Sequence, residues 1–160
     1  MSDNQDEKWM RVALREASLA LKKKEVPVGA VVVYQDKVIG RGHNQTETLN
    51  DPTAHAEILA IGAAANYLNS WRLSDAVLYV TLEPCAMCAG AIVLARMKKL
   101  VFGAFEPKAG ACGSLNNLVQ DKRLNHQVEV VSEVLKEDCS ALLQTFFKEL
   151  REVKDESERQ

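Results

Sequence analysis

Leu78-Tyr79-Val80-Thr81-Leu82-Glu83-Pro84-Cys85-Ala86-Met87-Cys88-Ala89-Gly90-Ala91 is the stretch from which the fold is read. Residues 76–81 read as a strand and 85–96 as a helix that follows it with almost no loop. Cys85 and Cys88 stand three apart at the start of that helix, so both sulfurs face the same way. The helix N-terminus, with its dipole and free amides, favours thiolate over thiol. The strand end at Thr81-Leu82 carries the pair to the edge of a sheet, where α/β proteins build their sites.

Outward from this unit the chain alternates. Residues 8–24 place Met10, Ala13, Leu14, Ala17 and Leu21 at the spacing of an amphipathic helix. Residues 28–34 are β-branched and continuous, and Gln35-Asp36 turns them into a second strand over 37–42, making a hairpin. A helix over 53–68 follows, with Asp51 at its N-cap and Pro52 at its first position. Residues 99–103 and 127–131 give two further strands, and 135–153 a closing helix. Strands alternating with helices after one hairpin predict an α/β fold with a mixed five-stranded sheet covered on both faces. The charge-rich ends, residues 1–7 and 154–160, are expected to fray around a single domain spanning 1–160.

The 160 residues suffice for one domain with a full core. Hydrophobic residues at 47% and charged ones at 26% lie in the globular range. A formal net charge of −2 excludes a strongly basic nucleic-acid binder and leaves room for a local basic patch. No N-terminal stretch joins positive charge to an apolar run, and the uncharged run Cys85 to Ala95 is too short to span a bilayer. A soluble, cytoplasmic protein with no membrane partner is expected. The cysteines Cys85, Cys88, Cys112 and Cys139 need no disulfides in a reducing compartment. Cys139 is expected to pack beside Leu142 and Leu143, and Cys112 to be a bystander in a loop.

Upstream, His55-Ala56-Glu57 adds an imidazole and a carboxylate. A lone histidine near a helix start is ordinarily a cap or surface residue, a lone glutamate a solvated charge. A lone C-x-x-C divides among redox, metal and nothing. Their conjunction points elsewhere. His55, Cys85 and Cys88 supply three ligands suited to zinc, and catalytic zinc sites leave the fourth position to water. Residues two apart on a helix point about 200° apart, so His55 and Glu57 converge only at the helix start. Glu57 lies among Ala54, Ala56, Ile58 and Leu59, where an unpaired buried charge costs several kcal/mol. A metal centre with its water supplies the partner. Two thiolates neutralise the ion's formal charge, which leaves Glu57 as the base that takes the water proton.

H-x-E followed by P-C-x-x-C resembles the signature of zinc nucleobase deaminases. Residues 52–57 and 78–91, with Glu25-Val26-Pro27-Val28-Gly29-Ala30, Phe102-Gly103-Ala104 and Lys108-Ala109-Gly110-Ala111-Cys112-Gly113-Ser114, narrow the resemblance to the bacterial tRNA-specific adenosine deaminases. The similarity runs from about Trp9 to Arg151. It implies a three-layer α/β/α, cytidine-deaminase-like fold, a homodimer, and one Zn2+ per subunit held by His55, Cys85 and Cys88. It implies hydrolytic conversion of the wobble adenosine of a tRNA anticodon, chiefly that of an arginine tRNA, to inosine, with Glu57 as proton shuttle. Asn44 matches an asparagine that contacts the flipped nucleotide, and Glu106, Pro107 and Lys108 a loop that meets its sugar and phosphates. Glu106 replaces the family's usual aspartate. Asn125 and His126 match a pair near the anticodon loop, beside Gln127 where arginine is common.

Phe146 and Phe147 are adjacent, so on a helix they cannot both face one core. In the family this pair lies against the anticodon loop, where aromatic faces stack on bases. Lys148, Arg151 and the runs Lys22-Lys23-Lys24 and Arg96-Met97-Lys98-Lys99 could extend a basic face there. Three rival readings of the sequence remain. A deaminase of free guanine or cytosine shares the zinc cassette and needs no anticodon groove. A thiol–disulfide exchanger leaves His55 and Glu57 without a role, and a structural zinc domain wants four ligands rather than three.

Overall fold

Two consecutive left-handed residues, Gln35 (φ 50°) and Asp36 (φ 59°), close the tight turn between β1 (Gly29–Tyr34) and β2 (Lys37–His43). A two-residue turn with both φ positive matches the right-handed twist of its strands. The computed structural model in which this is seen describes residues 2–159. On its other edge β1 pairs antiparallel with β3 (Val77–Leu82). β3 then pairs parallel with β4 (Lys99–Ala104), and β4 parallel with β5 (Glu129–Val131). The order is β2-β1-β3-β4-β5, the mixed five-stranded sheet expected.

Alternation along the central strands divides the core between two faces. Ala30, Val32, Leu78, Val80, Leu100 and Phe102 pack with buried residues of α2 (Ala56–Leu68) and α3 (Ala86–Leu94). Val31, Val33, Tyr79 and Val101 pack with Met10 and Ala13 of α1 (Ser2–Lys22) and with Cys139 of α4 (Lys136–Arg159). Two helices on each face give the three-layer α/β/α sandwich. α2 lies directly on β2: a Cβ at Gly40 would strike the Ala60 carbonyl, and one at Gly42 the Ala56 carbonyl. The facing positions Ala56, Ala60 and Ala64 are fully buried. Glycine against alanine thus sets the depth of α2, and with it the height of residues 55–57.

The structure corrects two expectations. Residues 4–7, expected to fray, lie within α1, where the buried Asp6 accepts a hydrogen bond from the Tyr79 hydroxyl (2.9 Å) and pairs with Lys99 (3.3 Å). The other end is likewise helical, α4 running to Arg159, while Met1 and Gln160 lie outside the described residues. Second, α2 starts at Ala56 rather than at residue 53. Asp51 accepts instead from the Thr53 amide and hydroxyl, both at 2.8 Å, in a local turn. The N-cap is His55, and the Ala56 amide is satisfied from outside by Asn44 Oδ1 at 2.9 Å.

Candidate active site

Two helix N-termini meet at the C-terminal end of β3. His55 is the N-cap of α2 and Cys85 the N-cap of α3, both in extended backbone conformation, and neither caps its own helix through its side chain. Their side chains are therefore free to turn toward each other. His55 Nδ1 lies 3.6 Å from the sulfurs of both Cys85 and Cys88. All three donor atoms fall within 4.8 Å of one another. A tetrahedral ion at zinc's usual bond lengths separates a nitrogen from a sulfur ligand by roughly 3.5 Å, so the donor set fits such an ion.

The electrostatics agree with the geometry. Cys85 takes hydrogen bonds from Cys88 and then from His55, which hold its thiol far below the usual value. Cys88 is pushed up, because it donates to Cys85 and is buried. His55 is raised, chiefly by its hydrogen bond to Cys85. A cation held here would turn both thiols into thiolates. Glu57, on the first turn of α2, is 4% exposed, and burial pushes its carboxyl up to about 7.

A cavity of about 170 Å³ opens beside this cluster, lined among others by Asn44, His55, Glu57, Glu83, Cys85, Glu106 and Ala109. The Asn44 amide oxygen is held by the Ala56 N–H. Its NH2 group therefore remains as a donor. Glu106 accepts from the Lys108 amide at 2.9 Å across a tight turn.

The other expected contacts lie outside this cavity. Lys108 and Phe147 line a separate groove of about 490 Å³ with Leu143, Gln144, Leu150 and Arg151. Phe146 lines a different hollow, with Leu21 of α1 and Lys24 just beyond that helix. The two rings touch edge to face at 5.2 Å. Asn125 is exposed on the loop before β5 and lines neither hollow. Its neighbour His126 bonds the Met97 carbonyl at 2.6 Å, and Gln127 donates to the Asp121 carbonyl at 2.7 Å. Of the basic runs, Lys23 bonds His43, Arg96 bonds the Val93 carbonyl and Lys99 pairs with Asp6. Cys139 is buried against Gly103, and Cys112 is buried in the loop beneath the site.

Two residues that shape the site carry no sequence signal of that role. Glu25, buried before β1, accepts from the Glu47 and Thr48 amides and from the Thr46 and Thr48 hydroxyls. Glu83, 2% exposed, accepts from the amides of Glu106, Cys112 and Ser114 and from the Ser114 hydroxyl. Burial alone would raise both carboxyls. These hydrogen bonds outweigh it and leave both below the ordinary value. The sequence shows only that each has a proline close behind it, in Glu25-Val26-Pro27 and Glu83-Pro84.

Comparison with known proteins follows the same lines. The profile of the MafB19-like deaminases matches residues 4–151. The tRNA-specific adenosine deaminase of Bacillus subtilis (strain 168) is 55% identical over 150 residues, 94% of this chain and 93% of that protein. A structure solved in a study of A-to-I editing by tRNA:A34 deaminases at the wobble position of transfer RNA superposes with a TM-score of 0.81 at 45% identity. It covers 84% of this chain and 97% of its own. A guanine deaminase from Bacillus subtilis superposes less closely, with a TM-score of 0.59 at 40% identity over 62% of this chain and 64% of its own. With its two cassettes brought by helix N-termini to one cavity on an α/β/α sandwich, the chain belongs to the tRNA-specific adenosine deaminases and matches the MafB19-like deaminases.

Proposed function

We propose that this protein hydrolyses the wobble adenosine of a tRNA anticodon, chiefly that of an arginine tRNA, to inosine and ammonia. One observation carries the reading: a His55–Cys85–Cys88 cluster and a buried Glu57 share a nucleobase-scale cavity in a chain 55% identical to a tRNA-specific adenosine deaminase. His55, Cys85 and Cys88 would hold one Zn2+ per subunit. Zinc so bound acts as a Lewis acid that makes water a nucleophile at neutral pH. Glu57 takes a proton from the water that attacks C6 of the flipped base and delivers it to the ring nitrogen. It then passes the second proton to the departing amine, so that water enters and ammonia leaves. Burial favours the protonated form of this carboxyl and a cation beside it the ionised form, so one group can serve both directions of transfer.

Asn44 presents its NH2 group to the nucleotide, its oxygen being held by Ala56. Glu106 faces the cavity for the ribose, while Lys108 and Phe147 flank the neighbouring groove for a phosphate and a stacked base. Phe146 and Asn125 are assigned to the outer margin of the anticodon loop. The protein acts as a homodimer. Support comes from the family resemblance, and α3 leaves Met87 and Leu94 exposed. Among the described residues no helix is long and apolar enough to cross a membrane, and we place the enzyme in the cytoplasm with its tRNA partner.

The test is to incubate the zinc-loaded protein with an arginine-tRNA anticodon stem-loop and sequence the product. Inosine at the wobble position, lost on chelation and restored by zinc, is the expected result. Ammonia release from free guanine or cytosine, with the stem-loop untouched, would overturn the reading.

A further inference from the structure

The segment from Phe105 to Ser114 is the wall between the two hollows: Glu106 and Ala109 line the base cavity, and Lys108 lines the outer groove. One carboxylate organises that wall. Glu83 Oε1 accepts from the Glu106 amide (2.9 Å) and the Ser114 hydroxyl. Its Oε2 accepts from the amides of Cys112 (3.0 Å) and Ser114 (2.9 Å). All four donors belong to this loop, and among the described residues no salt bridge involves Glu83. The fit is tight from the other side as well. A Cβ on Gly110 would fall on the Glu83 carboxylate itself. The loop is further tied to the cysteine segment by the Ala111 amide bonding the Pro84 carbonyl at 2.8 Å.

We propose that Glu83 is a positioning residue for substrate capture, holding the wall so that Glu106 and Lys108 present to the two hollows together. Glu83 also borders the base cavity, but both its oxygens are taken up by the loop, and it acts through that loop. The inference rests on the deaminase reading above. A glutamine at this position discriminates well. Its NH2 can face only the Ser114 hydroxyl, which can turn to accept. The Glu106 amide is then left opposite a donor, so release begins at the residue that meets the ribose.

Steady-state kinetics of the zinc-loaded enzyme on an anticodon stem-loop test this, with zinc content measured on each variant. Glu83→Gln is expected to keep one zinc per chain and kcat within about threefold, while KM rises about tenfold or more. Ser114→Ala, which removes one of the four bonds, is expected to raise KM by about two- to fivefold with zinc retained. If Glu83→Gln loses zinc, or lowers kcat as much as it raises KM, and Ser114→Ala changes nothing, the carboxylate is merely structural and the inference fails. An unchanged KM in both variants also overturns it. A wild-type enzyme inert on the stem-loop would instead sink the deaminase reading, which keeps the two failures distinct.

Discussion

At the scale of single residues, Glu57 is the side chain on which the proposed proton transfer rests. It is buried on the first turn of α2, and His55 at the N-cap lies beside the two sulfurs. Glu57→Ala is expected to keep its zinc and its melting behaviour while turnover falls by about 10²–10⁴-fold. Near-normal turnover would remove Glu57 from the chemistry. His55→Ala should lose metal and activity together, as read by metal analysis after gel filtration. These residues were legible because residue type carries their chemistry: imidazole, thiol and carboxylate in two short cassettes. The two buried carboxylates were not. A glutamate reads as a solvated charge until its hydrogen-bond partners are known, and those of Glu83 lie 23 to 31 positions away.

At the scale of elements, helix and strand identities could be read from periodicity, but the start of α2 could not. Asp51-Pro52 has the chemistry of a cap, yet Asp51 serves a local turn, and the cap comes from Asn44, 12 residues upstream. That arrangement couples the β2 end to the helix that carries His55. Gly42→Ala would press on the Ala56 carbonyl. It is expected to destabilise the fold by about 1–3 kcal/mol and to weaken metal retention, measured by competition with a chromophoric chelator. Glu25 offers a pH test of the loop between β2 and α2. Its carboxyl lies below the ordinary 4.5 in the folded state, because the Thr46–Thr48 bonds outweigh burial. Its ionised form therefore stabilises the fold above the unfolded value, and that contribution is lost as pH falls through the folded one. The difference in Tm between wild type and Glu25→Gln should be full at neutral pH and should close in the acid range. A difference independent of pH would mean that the charge is irrelevant.

At the scale of the whole molecule, the sequence could announce five strands and a hairpin but not their order. The alternation of apolar residues is the same whichever neighbour a strand takes, and the β1–β3 pairing joins segments separated by more than one intervening element. The ends misread for a related reason, since Asp6 finds Tyr79 and Lys99 only in the assembled fold. With a net charge of −2, attraction to RNA must come from local features rather than from the molecule's total. Affinity for the stem-loop should fall steeply with salt. Phe147→Ala, at a ring 45% exposed beside Lys108, should cost about 1–3 kcal/mol of binding by titration. Both faces of the sheet are filled by side chains that take no part in holding an ion. A chelated sample should accordingly remain a ready-made receptacle instead of unravelling, and cobalt could be introduced in zinc's stead. The visible colour of that substituted enzyme would then report, turn by turn, on what enters and leaves the coordination sphere.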